Sequence, residues 1–214
     1  MRIDLLQLGP KAGAFKRWLG NVVFALVIGS LTYMTHERAK QFASQDALWS
    51  ANLAADPNCW LAEQNLGEER AKVGDWDGAI RHYQNVLAIN ATEPVNLADL
   101  GFSLAQLGKH ADAIVYFRDA IKSRPQYAEA YNFLGVSLAA LNREQEAIDA
   151  FTQALIIWQG YPAARFNLSL ALAKVGRKAE ALEQARQAII TCEYSADEAG
   201  GAVAKRWLHW LETH

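Results

Sequence analysis

The stretch NLGEERAKVGDWDGAIRHYQNVLAINA, residues 65–91, decides the fold because its apolar pattern returns three more times along the chain. The recurring positions are 34 residues apart, and they are Leu66, Leu100, Leu134 and Leu168; Gly67, Gly101, Gly135 and Ser169; Ala79, Ala113, Ala147 and Ala181; and Tyr83, Phe117, Phe151 and Ala185. A fixed period of this size is typical of a solenoid whose units stack side by side. We therefore predict an array of four repeated units.

Each unit carries two apolar stripes at helical spacing with a short turn between them. The predicted turns are Gly74-Asp75, Gly108-Lys109, Asn142-Arg143 and Gly176-Arg177. Glycine and asparagine tolerate the left-handed backbone conformation that ends many helices, so each turn should begin with a left-handed residue. The small residues at Gly67 and its equivalents should let the two helices of a unit approach closely. The rings at Tyr83 and its equivalents should then fill the space towards the next unit.

This pattern resembles the tetratricopeptide repeat family. The third unit matches the family pattern best, through Tyr131, Leu134-Gly135, Leu138, Ala147, Phe151 and Ala154. The resemblance covers residues 60 to about 195 as four units, and a half-unit ends at Pro57. Five positions depart from the pattern and should weaken the first and last interfaces of the array, namely Glu63, Leu97 and Arg165 in an aromatic slot, Arg70 in an apolar slot, and Ala185 in the ring slot.

The resemblance implies an all-α solenoid of helix-turn-helix units wound into a right-handed superhelix, with the first helix of each unit lining a concave groove. The implied groove positions are mostly apolar with scattered amides, and they are Leu61, Gln64, Asn65, Glu68, Val95, Ala98, Asp99, Phe102, Asn132, Phe133, Val136, Phe166, Asn167 and Leu170. Such a surface suits a peptide or helix that presents apolar side chains. Alternatively, Phe102, Val136 and Leu170 only complete the packing between neighbouring first helices.

Two binding modes known in the family can be compared with these positions. Some members hold a chaperone's terminal carboxylate with basic side chains, but here the matching places are Gln64, Glu68, Asp99, Glu129 and Phe133. Three acids would repel a carboxylate, so the sequence argues against this clamp. In addition, Asn65, Asp99 and Asn167 resemble part of the asparagine ladder of related glycosyltransferase repeats, interrupted at Phe133.

A charge-free segment, WLGNVVFALVIGSLTYM, occupies residues 18–34. Its length and its terminal Trp18 and Tyr33 predict one transmembrane helix over residues 18–35. A cleaved signal peptide or a buried helix is the alternative, although charged and bulky residues follow where a cleavage site needs small ones. Four cations precede the segment and two follow it closely, which favours a cytoplasmic amino terminus and repeats on the outer or periplasmic side.

The complete predicted organisation has eight parts. It consists of a cytoplasmic segment (1–17), the transmembrane helix (18–35), a connecting helix and half-repeat (36–59), four units (60–93, 94–127, 128–161 and 162–195) and a carboxyl-terminal capping helix (196–214). The cap carries the apolar stripe Val203, Trp207, Trp210 and Leu211. Either Trp207 or Trp210 could remain exposed as a partner contact, since tryptophan is favoured at interaction hot spots.

Several classes of function are not supported by the sequence. The net charge of -2 argues against nucleic-acid binding. Cys59 and Cys192 lie at opposite ends of the predicted stack, so both should be free thiols. Neither these cysteines nor the five histidines form a metal-binding pattern, and no catalytic motif is present. We expect no catalytic residues, metal, cofactor or small-molecule substrate.

The first hypothesis is a membrane-anchored, non-catalytic scaffold that binds a protein or peptide at the bilayer. It would act as an assembly factor or as an accessory subunit of a membrane complex. The alternative hypothesis is a module that presents polypeptide substrates to a separately encoded membrane enzyme such as a glycosyltransferase. This alternative rests on a similarity to the carboxyl-terminal repeats of multi-pass membrane glycosyltransferases, whose catalytic part this chain lacks.

Overall fold

The computed structural model describes residues 32–34, 45–194 and 197–213. It divides into two units, residues 1–51 and residues 52–214. Within the first unit, residues 32–34 and 45–51 are helical. The predicted cytoplasmic segment, and the transmembrane helix apart from residues 32–34, lie outside the described residues. In the part of the chain that is described, no helix has both the length and the apolar character needed to cross a membrane.

The repeats form a row of α-helices joined by short turns. The helices are α1 (45–55), α2 (Trp60–Lys72), α3 (Trp76–Ile89), α4 (Pro94–Gln106), α5 (His110–Ser123), α6 (Ala128–Ala140), α7 (Glu144–Ile157), α8 (Pro162–Lys174), α9 (Lys178–Tyr194) and α10 (Glu198–Thr213). From α2 onwards each helix packs on the next, and the first helices of adjacent units also contact one another, α4 with α6 and α6 with α8. Among the described residues there is no β-strand.

The turns inside the four units have a common backbone geometry. Gly74, Gly108 and Gly176 have φ angles of 78°, 74° and 81°, and Asn142 has a φ angle of 57°. The amide after each of these residues donates to a carbonyl five residues earlier, as Asp75 does to Arg70 at 2.9 Å. This pattern satisfies carbonyl groups that the helix end would otherwise leave unpaired. The predicted left-handed stops are confirmed.

The glycines of the first helices make room for the ring of their own unit. A Cβ atom on Gly67 would lie 2.6 Å from Cε1 of Tyr83, and one on Gly135 would lie 2.5 Å from Cε1 of Phe151. The rings, which were predicted to fill the space towards the next unit, therefore also lie directly on the glycine of their own unit. Close packing at this point leaves no room for even one methyl group.

Replacing Gly135 by Ala should therefore destabilise the fold, although alanine is the better helix former. Overpacking costs about 1–3 kcal/mol, and the gain in helix propensity returns about 1 kcal/mol, so we expect a net loss of about 1 kcal/mol. Urea unfolding followed by circular dichroism measures this difference. Gly201→Ala is the control, since a Cβ there meets the Cβ of Cys192 at an ordinary 3.4 Å. A stabilised Gly135→Ala protein would contradict the packing account.

Two of the departures from the repeat pattern, Glu63 and Arg165, form hydrogen bonds with side chains on the second helix of their unit. Glu63 is buried, its Oε2 lies 2.6 Å from Nδ1 of His82, and its Oε1 accepts a hydrogen bond from Asn85 at 2.9 Å. Arg165 in the same slot donates to Oε1 of Gln184 at 3.3 Å. Both polar residues are therefore hydrogen bonded across the helix pair of their own unit. The expectation that the departures weaken the first and last interfaces of the array stays a prediction.

The fourth unit replaces its missing ring with a side chain from α10. Ser169 takes the place of the glycine and donates to the carbonyl oxygen of Ala181 at 2.7 Å, and Ala185 is fully buried. Nε1 of Trp207 donates to Oγ of Ser169 at 2.8 Å. The indole therefore reaches the small-residue position that a ring of the same unit covers in the earlier units. With Leu211, which is also buried, it ties α10 to the last repeat.

Trp207→Phe tests this arrangement with a modest change. Phenylalanine keeps an aromatic ring but removes the donor to Ser169, so we expect a loss of about 1 kcal/mol in unfolding free energy. Trp210→Phe serves as the control, because Trp210 is about half exposed, at 47%. Chemical denaturation of both variants gives the comparison. Equal losses for the two variants would show that the Ser169 hydrogen bond does not anchor α10.

Candidate functional site

The predicted groove positions differ in how much of each side chain water can reach. Leu61, Val136 and Leu170 are exposed. Two others are buried and cannot line a groove, Ala98 at 0% exposure and Asn132 at 4%. Ala98 packs in an apolar cluster with Leu97, and so its assignment to the groove was wrong. The remaining positions are partly buried, and they are Gln64, Asn65, Glu68, Val95, Asp99, Phe102, Phe133, Phe166 and Asn167.

Three of the predicted positions come together in one cleft between neighbouring first helices. Val136 on α6 and Asn167 and Leu170 on α8 line an open cavity of about 220 Å³. Val136 is 41% exposed and Leu170 is 36% exposed. More than a third of each side chain is therefore accessible to water. Glu144 and Lys174, which form an ion pair, also line the cleft, so it offers exposed apolar surface next to one salt bridge.

Phe102 and Phe133 belong instead to a row of aromatic rings. The ring centres of Phe102 and Phe133 are 5.1 Å apart, those of Phe102 and Trp76 are 5.9 Å apart, and those of Phe133 and Phe117 are 5.8 Å apart. Both residues pack partly buried against the main core. The alternative hypothesis for Phe102 was that it completes the packing between neighbouring first helices, and its contact with Phe133 on α6 agrees with that hypothesis.

Two members of the partial asparagine ladder are hydrogen bonded within the chain. Nδ2 of Asn65 donates to the carbonyl oxygen of Leu61 in its own helix at 2.7 Å. Nδ2 of Asn167 donates to Oδ1 of the buried Asn132 at 3.0 Å. Each amide thereby uses one of its two N–H donors inside the chain. The ladder itself stays a prediction.

A second cluster of polar groups lies where α2 and α4 meet. Glu93 begins α4, and its Oε2 accepts hydrogen bonds from the backbone N of Asn96 at 2.7 Å and from its Nδ2 at 3.0 Å. The Nδ2 of Asn96 also lies 3.5 Å from Oε1 of Gln64. Gln64 in turn donates to Oε1 of Glu68 at 3.0 Å. Two carboxylates and two amides are thus linked across the first two units.

Asp99 lies beside this cluster and differs from its neighbours. Burial, together with the charges of Glu68 and Glu93, raises the pKa of Asp99 to about 7. Among the described residues, no hydrogen bond or ion pair reaches its carboxylate. Burial and the same negative field also raise the pKa of Tyr83, and they raise that of Tyr127 to about 12. Asp99 is therefore a largely buried carboxyl group that has no ion pair or hydrogen-bond donor of its own in the described part of the chain.

Sequence reasoning missed two members of this cluster, Glu93 and Asn96. A signal for Asn96 was available, because the other units hold alanine at the equivalent position, as Ala62, Ala130 and Ala164. A polar residue in a buried slot that is otherwise alanine breaks the local rule of the repeat, and such breaks concentrate at functional or strained sites. Glu93 gave a weaker signal, since it lies outside the helix in a position occupied elsewhere by Cys59, Tyr127 and Tyr161.

The predicted contacts at the carboxyl end adjoin the cleft, because Leu170 lines both cavities. The rings of Trp207 and Trp210 are stacked, with centres 5.0 Å apart and an angle of 10° between their planes. Together with Leu170, Ala173 and Lys178 they line an open cavity of about 430 Å³. Trp207 is partly buried because it secures α10, which leaves Trp210 as the more accessible member. Its role as a partner contact stays a prediction.

Cysteine and metal chemistry do not define a site in the described part of the chain. Cys59 and Cys192 are free, which confirms that prediction. Burial raises the pKa of the Cys192 thiol, so its reactive thiolate form is disfavoured. No group of three or more histidine, cysteine, aspartate or glutamate side chains within the described residues could hold a metal ion.

Comparison with known families agrees with the geometry of the helix pairs. Residues 99–162 and residues 164–193 each match a family described as tetratricopeptide repeat. These segments are tetratricopeptide repeats. The predicted all-α tetratricopeptide-repeat solenoid is thereby confirmed. Repeats of this fold are typically non-catalytic modules that contact other proteins through extended surfaces. Among curated proteins, none matches this sequence.

Several solved structures of tetratricopeptide repeats are similar to this chain. The crystal structure of MamA has 25% sequence identity and a TM-score of 0.68, covering 75% of this chain and 94% of that chain. YrrB, described as a TPR protein with an unusual peptide-binding site, has 20% identity and a TM-score of 0.63, with 79% and 86% covered. The first TPR of Spaghetti (RPAP3), bound to the HSP90 peptide SRMEEVD, has 22% identity and a TM-score of 0.54, with 55% and 93% covered. The last two likenesses show the fold alone.

Proposed function

We propose that this protein is a non-catalytic, membrane-anchored scaffold that binds a partner polypeptide through the first helices of its repeats. It acts as an assembly factor or as an accessory subunit of a membrane complex. The observation that carries this proposal is the open cleft lined by Val136, Asn167 and Leu170. Apolar side chains exposed in a concave cleft lose contact with water when a partner binds, which favours association.

Membrane anchoring is supported by the sequence of residues 18–34, which contains no charged residue. A helix of this length comes close to spanning the hydrocarbon core, with Trp18 and Tyr33 at the depth of the interface. The excess of cations before the segment favours an amino terminus in the cytoplasm and repeats on the outer or periplasmic side. In this arrangement the repeats bind their partner close to the membrane surface.

The alternative proposal is a module that presents polypeptide substrates to a separately encoded membrane enzyme such as a glycosyltransferase. It would rely on the asparagine ladder to hold the peptide backbone. Because Asn65 and Asn167 each use one of their two amide N–H donors within the chain, fewer donors are left to hold a peptide backbone, and we favour the scaffold. A peptide affinity that falls strongly in Asn65→Ala and Asn167→Ala variants would reverse this preference.

The scaffold proposal is tested in native membranes with paired variants. Leu170→Asp places a charge in the cleft, whereas Ile156→Asp places one on α7, where Ile156 is 65% exposed. We expect a companion protein to co-purify in fixed stoichiometry from mild detergent with the wild type and with Ile156→Asp. Leu170→Asp should lose it. Release of the intact protein by a carbonate wash would disprove the anchor, and a companion retained by Leu170→Asp would disprove the cleft as its binding site.

A further inference from the structure

We propose that the cavity between α8 and α10 binds an acidic side chain of the partner polypeptide together with a large apolar side chain beside it. The acid pairs with Lys178, and the apolar group packs against Trp210. We call this cavity the cap pocket, and its lining includes Leu170, Ala173, Lys174, Lys178, Trp207 and Trp210. This inference rests on the proposed function, because it specifies the chemistry of the partner that lies in the adjoining cleft.

The cap pocket repeats the position of the cleft one unit further along the chain. Val136 and Ala139 line the cleft. The residues 34 positions later, Leu170 and Ala173, line the cap pocket. In place of a further first helix, α10 packs on α9 and contacts α8. Because Leu170 and Lys174 line both cavities, a segment that lies in the cleft can extend into the cap pocket.

The two cavities differ in how their charges are balanced. Glu144 lines the cleft and forms an ion pair with Lys174. The residue 34 positions after Glu144 is Lys178, which lines the cap pocket. Within the described ranges, no ion pair or hydrogen bond reaches the ammonium group of Lys178, and no acidic residue lines the cap pocket. The acid that is paired in the third unit is thus replaced in the fourth by a cation that an acidic partner can pair.

The simplest alternative is that Lys178 is an ordinary solvated lysine. That explanation does not account for its surroundings, because two lysines line one apolar cavity in a chain whose net charge is -2. A local excess of positive charge of this kind attracts an acidic partner and repels a basic one. The charge therefore selects among the segments that the apolar surface could bind.

The apolar wall of the cap pocket has room for a large side chain. Its volume is about 430 Å³, compared with about 220 Å³ for the cleft. The ring of Phe151 lines the cleft, whereas the equivalent residue of the fourth unit is the small Ala185. Trp210 is 47% exposed at this wall. Tryptophan offers a large apolar surface and is favoured at interaction hot spots.

Other occupants fit the cap pocket less well. Aromatic rings attract cations, but a basic side chain would be repelled by Lys174 and Lys178. A purely apolar segment would exclude water around Lys178 without supplying a partner for its charge, which is unfavourable. An acid without an apolar neighbour would leave the exposed surface of Trp210 in contact with water. An acidic residue next to a large apolar one satisfies both parts of the pocket.

Peptide display on the full-length protein in mild detergent tests the proposal. Random twelve-residue peptides are attached to the phage through their carboxyl ends, so that a selected acid is a side chain and not a terminal carboxylate. We expect peptides that combine aspartate or glutamate with a large apolar residue to be enriched on the wild type. Lys178→Glu should weaken their binding about tenfold, and Trp210→Ala should weaken it by a similar factor. Lys122→Glu is the control for net charge, because Lys122 is an exposed lysine on α5.

An exchange of charges shows whether the acid and Lys178 are in direct contact. Replacing the acid of the best peptide by lysine should weaken binding to the wild type and restore binding to Lys178→Glu. This result does not depend on Trp210, whose removal also disturbs its stack with Trp207. Lys178 is exposed, so its replacement should leave the fold intact, which circular dichroism verifies.

The possible results separate this inference from the proposed function. Selected peptides without acids, or with equal affinity for the wild type and Lys178→Glu, would overturn the inference, while their loss of binding to Leu170→Asp would still support the cleft. Failure to select any peptide would count against the proposed function, and the inference would fall with it. A wild type that is oligomeric by light scattering, with a monomeric Lys178→Glu variant, would place a second copy of the chain in the pocket and would also overturn the inference.

Discussion

Phe117→Ala is expected to lower the free energy of unfolding by about 4 kcal/mol, because it empties the centre of the array. Phe117 is fully buried, lies directly on Gly101 and packs near Phe133 of the next unit. Each unit of a solenoid is stabilised by its neighbours, so a cavity here weakens the contacts on both sides of the second unit. Urea titration followed by circular dichroism measures the loss.

Val115→Ala is the control for Phe117→Ala because it shortens a side chain on the same helix that is 56% exposed. A surface truncation of this kind should change the unfolding free energy by no more than about 0.5 kcal/mol. The Phe117→Ala transition should also be broader, since breaking the array in the middle reduces its cooperativity. A loss below about 1 kcal/mol would mean that the central ring is not essential to the stack.

The second large effect concerns Asp99 and depends on pH. The folded pKa of about 7 is higher than the value near 4 of an unfolded aspartate, so the folded state binds the proton more tightly. The stabilising effect of the protonated carboxyl is therefore complete below about pH 4 and is lost as the pH rises to about 7. Asparagine remains neutral throughout, so Asp99→Asn should gain stability relative to the wild type across this window.

The expected gain at pH 8 is about 2 kcal/mol, which allows for the partial exposure of Asp99 to water. At pH 4 the difference should vanish. Glu68 and Glu93 are the charged groups that face Asp99, and the hydroxyls of Tyr83 and Tyr127 remain neutral in this range. Unfolding curves of both proteins from pH 4 to pH 8 provide the measurement. A variant less stable than the wild type at pH 8 would show that the charge of Asp99 is stabilised within the fold.

The repeat architecture could be predicted from the sequence because each helix face returns at the same place in every unit. Gly74, Gly108, Asn142 and Gly176 have backbone requirements that few residues meet, so the turns followed from local chemistry alone. The packing of Tyr83 on Gly67 was less accessible to prediction. Spacing shows which residues share a face, but it does not show which of two neighbouring helices a ring covers.

The composition of the candidate site was harder to predict, for a different reason. Asn132 is buried and accepts a hydrogen bond from Asn167 in the next unit, which its position in the repeat does not reveal. The raised pKa of Asp99 comes first from burial and then from the charge of Glu68, 31 residues earlier in the preceding unit. Contacts between units depend on how the helices stack. Each of these contacts occurs once in the chain, so no repetition in the sequence reveals it.

The most direct test of the account is site-specific photo-crosslinking in intact membranes. A photoreactive amino acid replaces Leu170 on the first-helix side in one protein and Ile156 on α7 in another. The account predicts that the full-length chain is retained in carbonate-washed membranes, and that position 170 cross-links to one partner whereas position 156 does not. A chain that leaves the membrane, or a partner captured from position 156 and not from position 170, would contradict it.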